Sequence, residues 1–534
     1  MKTTNNVLEQ FEESSGHPRR WAILAVMSLS IFMLMLDNTI VNTALPSMAR
    51  DLRASTGEMQ WIVDGYVLML AGLLLVGGTI GDIFGRRRWL TAGMVIFGAA
   101  SVGAGLATSA EQLIGFRALQ GVGGALVMPA TLSIITNVFP RDERAKAIGI
   151  WTGVSALAMG MGPAFGGYLV DHTGWSSIFF LHVPVVLAAL AGLTIVPESR
   201  DPRPRALDIP GAITGTITLG TLVYGIIAGG EHGWTDVQVL ASLTVSAVAG
   251  LLFFIVERRA SSPMLPMQFF RERDFTAGVV IVGTVFFAIS VVFFFLTQFY
   301  QLVQGRSAFE AGLLGLPCAF AMMIGAPISG AVVHRVGPKL LISSAVAVVA
   351  VAVALLSQIE ADSSTIRIIL NLALFGLAGG LGMAPLTDMV MAAVPVDDAG
   401  VGSALNDVSR ELGSALGIAA VGSFVSSLYR ANVEAALAAT VPHEVAHPAS
   451  EGIGVATVLA QSLPADMQST LLAAAQASFV DAFTTGFIAS AVLLGLAAVF
   501  AAVVVPGKVR TEQAIAGASQ VVPDTALILK PIEV

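Results

Sequence analysis

Charge is scarce in this chain. Of its 534 residues, only 12% are Asp, Glu, Lys or Arg, whereas 55% are hydrophobic. Because a typical soluble domain has about 25% charged residues, this composition excludes an ordinary soluble protein. The formal net charge is −8, so the chain also lacks the basic excess that binding to nucleic acid requires.

Cysteine and phosphate-binding motifs are also nearly absent. Cys318 is the one cysteine of the chain, which excludes a disulfide within it. No GxxxxGK[ST] loop occurs, so we do not expect an ATP-driven pump. We expect neither a cofactor nor a metal site.

Long apolar segments make up most of the sequence. A membrane-spanning helix needs about 20 apolar residues, and only helices can satisfy so much backbone in an open chain within lipid. We therefore predict an all-α membrane protein with fourteen transmembrane helices, called spans 1–14 in chain order. They are 21–43, 61–81, 89–108, 112–136, 145–167, 175–196, 208–228, 237–256, 276–299, 309–332, 339–357, 366–387, 401–425 and 480–505.

Lysine and arginine are distributed unevenly between the two sides of the membrane. The connections on one side contain most of them, whereas the other side has only Arg50, Arg53, Arg306, Arg367 and Arg430. Because positively charged connections stay in the cytoplasm, we predict a protein of the cytoplasmic (inner) membrane with both termini cytoplasmic. The end of the bundle where span 1 finishes and span 2 begins is then extracellular, and we call it the outer end.

The two ends of the sequence resemble each other. GTIGDIFGRRRWL follows span 2 from Gly78, and GAVVHRVGPKLL follows span 10 from Gly330. Duplicated halves are a design of transporters. The sequence divides into a cytoplasmic tail 1–20, an N-terminal six-helix bundle 21–196, a cytoplasmic linker 197–207, two inserted helices 208–256, a cytoplasmic linker 257–275, a C-terminal six-helix bundle 276–505 and a cytoplasmic tail 506–534. We place an extracellular loop at 426–479, with short helices at 431–439 and 465–478.

Three ionisable residues fall in the outer half of the N-terminal bundle: Asp37 in span 1, Asp64 in span 2 and Arg117 in span 4. A charge in hydrocarbon costs roughly 3 kcal/mol or more, so such groups face the protein interior and pair. A protonatable carboxylate beside Arg117 is one interpretation, and a structural salt bridge is the other. Asp64 lies near a predicted helix end, where contact with water is a third interpretation.

Span 13 carries a second charged group, formed by Asp407, Arg410 and Glu411. Their spacing places them near one face of the helix. Glu411 is a candidate site for a proton or a cationic substrate, and a self-neutralised cluster is the alternative.

Two glycine-containing motifs indicate close approach of the backbone. The first, between spans 2 and 3, comprises Gly78, Gly81, Asp82, Gly85, Arg86 and Arg87. The second, in span 5, comprises Gly162, Pro163, Gly166 and Gly167. Glycine permits tight turns, and proline within a span removes a hydrogen-bond donor, so span 5 can bend and pack closely.

Aromatic side chains suit lipophilic cations. Candidate substrate contacts are Trp61, Tyr66, Phe295, Gln298, Phe299 and Tyr300. The alternative is that the aromatic residues face lipid or its interface.

The pentapeptide His443-Glu444-Val445-Ala446-His447 fits the HExxH pattern of zinc proteases. Such a site needs a helix and a third ligand. Pro442 and Pro448 bracket the motif and no obvious third ligand follows, so we predict that the chain is not an enzyme.

Together these motifs resemble those of the fourteen-span drug:proton antiporters of the major facilitator superfamily. LDNTIVNTALP (Leu36 to Pro46) is similar to the span-1 signature, with Thr43 in place of a valine. The motif after span 2 and the glycines of span 5 also match, although Ala158 occupies a common glycine position. The span-4 match consists of Leu113, Arg117, Gln120, Gly121 and Gly123.

The resemblance implies the major facilitator fold and proton-driven export of lipophilic, cationic drugs or antiseptics. We also expect the protein to be a monomer. The resemblance further implies proton coupling by Asp37 and Arg117, gating by Asp82 and Arg86, and a hinge at Gly162 and Pro163. The alternative substrate is a single antibiotic or metabolite, such as a tetracycline-type drug. A sensor with the same fold would not need to exchange protons. Span 10 has no acidic residue of the kind found in some relatives, which argues against a preference for dications.

Overall fold

The structure is a computed structural model, and it describes residues 17–200, 208–260, 263, 265, 267–394, 399–438 and 440–507. Most of both predicted tails and parts of the predicted linkers 197–207 and 257–275 lie outside the described residues.

Helices account for all fourteen predicted spans. In order they are Arg20–Leu52, Thr56–Phe84, Arg86–Gly105, Ala110–Val138, Arg141–Thr173, Ser176–Phe180 with His182–Gly192 (span 6), Ile209–His232, Val237–Arg259, Arg273–Gln298, Ala308–Val336, Pro338–Leu356, Thr365–Ala392, Ala399–Leu437 and Ala465–Val504. A 3-10 turn, Leu193–Ile195, ends span 6, and a five-residue π-helix, Phe299–Val303, ends span 9.

Thirteen described helical segments are long and apolar enough to cross a membrane. Span 3 is the predicted span outside this set, because its helix begins with Arg86, Arg87 and Arg88 and is rich in glycine. Spans 2 and 4, on either side of it in the chain, both belong to this set. Span 3 therefore connects them from one end of the bundle to the other.

The two halves share local structure as well as sequence. Ser55 and Glu58 form a capping box at the start of span 2, and Ser307 and Glu310 form one at the start of span 10. The same two helices end at glycines with positive φ, Gly85 (118°) and Gly337 (81°). Glycine adopts this conformation without the steric cost that other residues incur. Both halves therefore begin and end the corresponding helix in the same way.

Packing repeats in the same order. Span 2 packs on span 4, span 3 on span 4 and span 1 on span 5, while in the second half span 10 packs on span 12, span 11 on span 12 and span 9 on span 13. The halves meet along two seams, one between spans 5 and 10 and the other between spans 2 and 13. Span 7 packs against spans 2 and 13, with span 8 on its far side. The inserted pair thus lies beside the second seam.

The predicted extracellular loop 426–479 is much shorter in the structure. The helix of span 13 continues to Leu437 and that of span 14 already begins at Ala465. The alanine-rich pieces predicted as separate short helices are therefore extensions of these two spans. The intervening segment forms two other short helices, His443–Ala449 and Ile453–Ala460, and it packs against the outer end of span 1.

Candidate functional site

Asp37 and Arg117 form an ion pair in the interior of the N-terminal half. Arg117 Nη1 lies 2.7 Å from Asp37 Oδ2, and the two side chains are 1% and 0% exposed. A second Arg117 donor, Nε, bonds the carbonyl of Ile62 at 3.0 Å. The guanidinium also lies 4.3 Å from the ring centroid of Tyr66. The charged groups therefore compensate each other, as their position in the membrane requires.

A chain of hydrogen bonds leads away from this ion pair. Arg117 Nη1 donates to Gln120 Oε1 at 2.9 Å, and Gln120 Nε2 donates to Ser101 Oγ at 2.8 Å. The Ser101 hydroxyl donates to the Phe97 carbonyl at 2.8 Å. Gln120 and Arg117 both belong to the span-4 motif. They lie about one helical turn apart, which explains why the two side chains meet.

His182 completes the site, although its role was not predicted from the sequence. It lies at the start of the second helix of span 6 and is fully buried. Its Nε2 is 3.7 Å from Asp37 Oδ1, and its Nδ1 is 3.5 Å from Ser101 Oγ. The sequence did contain a signal for His182, because a single ionisable residue within an apolar span is a functional candidate by default.

Asp64 is buried, so the interpretation that water solvates it is wrong. Its helix begins at Thr56, earlier than hydropathy predicts, and this places Asp64 deeper in the bundle. Both carboxylate oxygens, and both amide atoms of Gln60 one turn earlier, have no hydrogen-bond partner among the described residues. Gln60 packs against Gly422 of span 13. Asp64 shares this helical face. It therefore lies at the seam between spans 2 and 13, and it is not a partner of Arg117.

The nearby polar residues Thr39 and Asn42 of span 1 bond to their own helix. Thr39 Oγ1 donates to the Leu36 carbonyl at 3.2 Å, and Asn42 Nδ2 donates to the Asn38 carbonyl at 3.3 Å. These bonds stay within one helix. The partners of Asp37 come instead from spans 4 and 6.

The charged group of span 13 is only partly self-neutralised. Arg410 Nη1 lies 3.6 Å from Asp407 Oδ1, and the guanidinium lies 5.2 Å from the ring centroid of Phe286. Glu411 is 9% exposed and forms no ion pair or hydrogen bond with the described residues. Glu411 and Gly422 are eleven positions apart, close to three helical turns, so both face span 2.

The motif between spans 2 and 3 is held by a residue outside it. Asp82 Oδ1 accepts from Arg86 Nε at 2.9 Å. Glu198, at the end of span 6, accepts from the Arg87 backbone N–H at 3.0 Å and lies 3.7 Å from Arg88 Nε. A Cβ on Gly85 would lie 2.7 Å from Glu198 Oε1. Glu198 was interpreted only as part of a linker, because its distant partners cannot be read from the sequence.

Gly85→Ala is expected to reduce both stability and transport. Its positive φ alone costs about 1–3 kcal/mol for alanine, and the new Cβ would displace Glu198 from Arg87. Gly174 is the matched control, since it has φ 85° and nothing within 4 Å of an added side-chain carbon. Thermal unfolding and drug export should both decline more for Gly85→Ala than for Gly174→Ala. Equal effects of the two substitutions would show that the contact between Glu198 and Arg87 contributes nothing to stability or transport.

The glycine motif of span 5 lies where three helices meet. A Cβ on Gly162 or Gly166 would collide with span 1, at Thr39 or Ile40. A Cβ on Gly167 would collide with the Ala308 carbonyl of span 10, and Gly312 of span 10 faces the Pro163 carbonyl in the same way. The helix runs unbroken through Pro163. These glycines therefore allow backbone contact between the two halves.

The same seam is capped at the outer end. Asp171, near the end of span 5, accepts from the first backbone N–H groups of span 10: Ala308 N at 2.9 Å and Phe309 N at 2.8 Å. Gln301 of span 9 also donates across the halves to the Thr43 carbonyl at 2.8 Å. The outer ends of the halves are consequently joined by polar contacts as well as by close packing.

The candidate aromatic residues occupy three different environments. Trp61 lies 6.3 Å from the Tyr224 ring of span 7, whereas Tyr66 contacts Arg117. Phe295 and Phe299 are fully buried and pack on Phe483 of span 14. The remaining two candidates, Gln298 and Tyr300, are also buried. The structure does not bring these six residues together, and their role as substrate contacts stays a prediction.

The HExxH residues lie on a seven-residue helix in the segment between spans 13 and 14. The rings of His443 and His447 stack with centroids 5.4 Å apart, and His447 Nδ1 lies 3.7 Å from Glu434. Within the described ranges, no group of three or more His, Cys, Asp or Glu side chains is arranged to hold a metal ion.

Comparison with known proteins decides the family. A model described as Major Facilitator Superfamily matches residues 27–418. The chain belongs to the Major Facilitator Superfamily. It is thus a multi-pass membrane transporter of small molecules rather than an enzyme, and the predicted family and all-helical fold are confirmed.

Named relatives cover most of the chain. The tetracenomycin C resistance and export protein of Streptomyces glaucescens is 35% identical over 489 residues, which are 90% of this chain and 91% of that protein. The multidrug efflux pump LfrA of Mycolicibacterium smegmatis is 35% identical over 489 residues, 90% and 95% of the two chains. A crystal structure of a D-xylose-proton symporter shares the fold, with a TM-score of 0.60 at 15% identity over 91% of this chain and 98% of that one.

Proposed function

We propose that this chain is a proton-coupled antiporter that exports lipophilic, mainly cationic drugs or antiseptics across the cytoplasmic membrane. It works as a monomer with both termini in the cytoplasm. The observation that carries the proposal is the fully buried Asp37–Arg117 pair, a protonatable group held inside a transporter fold whose relatives include a multidrug efflux pump.

Proton binding at this pair can drive a change in access. Asp37 is paired with Arg117 while the outer ends of the halves are joined, and opening of that end would admit water and a proton to the site. Exchange of one proton for one monovalent cation moves no net charge, so the pH difference across the membrane drives it. Each pH unit supplies about 1.4 kcal/mol, enough to maintain a drug gradient of about tenfold. The movement that changes access is a rocking of the halves about the two seams.

Two acidic groups are available to attract a cationic substrate. Asp64 of span 2 and Glu411 of span 13 are both buried, and the Asp64 carboxylate has no hydrogen-bond partner among the described residues. Either of them also serves as a second proton site when no cation is present. Aromatic residues that become accessible when the halves move would contact the lipophilic part of the drug.

The test is transport by the purified protein in sealed vesicles with an imposed pH gradient. Addition of ethidium, a monovalent lipophilic cation, should release protons and collapse the gradient. Protein-free vesicles report passive leak, and Gly153→Ala, which has nothing within 4 Å of the added carbon, controls for substitution. Failure of a panel of cationic and neutral drugs to move protons would contradict the proposal.

Export of a single antibiotic is the second candidate, and the tetracenomycin C relative favours it. A broad exporter should respond to many unrelated cations in the same assay, whereas a narrow one should respond to a single scaffold. For a tetracycline-type substrate, transport should also require a divalent metal ion, because such drugs travel as metal chelates.

A further inference from the structure

We propose that His182 holds the transported proton, on Nε2, in a site shared with Asp37. This inference rests on the proposed function, since it names the atom that binds the proton during antiport. It follows from the direction of the hydrogen bonds around the ring, from two buried atoms that lack partners, and from the charge of the neighbouring Arg117.

The hydrogen bonds around His182 have a fixed direction because arginine can only donate. Arg117 Nη1 lies 2.9 Å from Gln120 Oε1, so the Gln120 amide must present its oxygen there and its nitrogen to Ser101. The Ser101 hydroxyl hydrogen is used by the Phe97 carbonyl. Ser101 Oγ can therefore only accept a bond from His182.

This direction determines the tautomer of the neutral imidazole. Nδ1, 3.5 Å from Ser101 Oγ, carries the hydrogen. Nε2 is then a bare acceptor, and it faces Asp37 Oδ1, another bare acceptor, at 3.7 Å. Both atoms are buried and have no hydrogen-bond partner in the described part of the chain. One proton placed between them would satisfy both, and it would shorten the distance to that of a hydrogen bond.

The charge balance favours a proton on the ring over one on the carboxylate alone. Protonation of Asp37 alone would leave Arg117 as a buried cation without a counter-ion, which is strongly unfavourable. Protonation of His182 Nε2 leaves the Asp37 Oδ2–Arg117 bond of 2.7 Å in place, because the carboxylate then bridges two cations.

Among the described residues, two charged groups act on His182. The charge of Asp37 from span 1 favours a proton on the ring, and the charge of Arg117 from span 4 opposes one. Span 3 presents the neutral Ser101 and Phe97, whose ring centroid is 5.4 Å from that of the imidazole. The position between Asp37 Oδ1 and His182 Nε2 therefore suits a single shared proton.

Two substitutions separate a proton site from a structural histidine. His182→Gln places an amide N–H2 near the position of Nε2, so it donates to Asp37 permanently and mimics the protonated state. His182→Asn retains a group near Nδ1 that donates to Ser101 and leaves Asp37 Oδ1 without a partner. Neither variant can bind and release a proton at this position, whereas a structural role would tolerate at least one of them.

In the vesicle assay, both variants should reduce ethidium-driven proton movement about 100-fold or more, the usual effect of removing a proton-transfer group. If the unmodified protein moves no protons, the proposed function fails. If it does and either variant matches it, the antiport stands and the assignment to His182 is overturned.

A spectroscopic measurement follows the ring in the unmodified full-length chain and uses a variant only to assign its signal. 15N-histidine NMR in lipid nanodiscs should show one imidazole, identified by its loss in His182→Asn, that gains a hydrogen on Nε2 as the pH falls. Ethidium should remove that hydrogen again. A His182 ring that keeps one hydrogen, on Nδ1, throughout the pH range of antiport would overturn the inference.

Discussion

Asp37→Asn is expected to abolish uphill drug export while leaving a folded protein. Asparagine has the same shape and its oxygen can still accept from Arg117, but it cannot bind or release a proton. The steady-state drug gradient should fall from about tenfold per pH unit to none. Asp51→Asn is the matched control, because Asp51 lies exposed at the end of the same helix. Equal export by the two variants would contradict a role of Asp37 in coupling.

The stability of the same pair provides an independent check. Arg117→Ala leaves the Asp37 carboxylate buried without its partner, which typically costs about 3–5 kcal/mol. The double variant Asp37→Asn/Arg117→Ala has no buried charge left, so part of that loss should be recovered. Thermal unfolding of the purified variants measures both effects. An Arg117→Ala protein as stable as the unmodified one would show that the ion pair is not needed to balance the buried charge.

The second large effect is expected at the seam between spans 5 and 10. Gly167→Val should prevent close packing there, because the added carbon atoms would meet the backbone of Ala308 rather than a flexible side chain. Gly312→Val should act from the other helix, against the Pro163 carbonyl. A transporter whose outer end cannot close no longer alternates access, so export should fall to the level of passive leak.

Gly153→Val controls for the introduction of valine into the same helix. Gly153 lies in span 5 and has nothing within 4 Å of an added carbon. It should therefore retain export, whereas the two seam variants lose it although they insert into the membrane. Normal export by Gly167→Val and Gly312→Val would mean that the contact between these helices is not part of the transport cycle.

The sequence predicted the features that follow from solvation and periodicity. The fourteen helical segments follow from apolar length, and the pairing of Asp37 with Arg117 follows from the cost of a charge in lipid. The repeat between Gly78 and Gly330 indicated the duplicated halves, and the equivalent capping boxes at Ser55 and Ser307 now reinforce it.

Features that depend on contacts between distant segments could not be predicted. His182 is a single histidine in span 6, and nothing near it in sequence indicates that Asp37 lies 3.7 Å away. The sequence places Glu198 in a polar linker, and only the fold shows that it contacts Arg87. Asp64 was placed near a helix end because hydropathy does not register the polar first turn that begins at Thr56.

The aromatic residues show the same limit. Composition and position suggested a substrate site containing Phe295 and Phe299, but the partner that buries them, Phe483, belongs to span 14. Trp61 contacts an inserted helix instead, through Tyr224. The movement of the halves therefore determines which aromatic faces become accessible. The order of residues in the sequence does not predict that movement.

The most direct test of the central claim is the direction of drug flux under opposite pH gradients. Ethidium movement would be followed in vesicles of fixed protein orientation, at equal drug concentration on both sides and zero membrane potential. The account predicts net flux against the proton gradient, with reversal of sign when the gradient is reversed and no net flux in Asp37→Asn. Ethidium flux whose direction does not change when the pH gradient is reversed would contradict proton-coupled antiport by this chain.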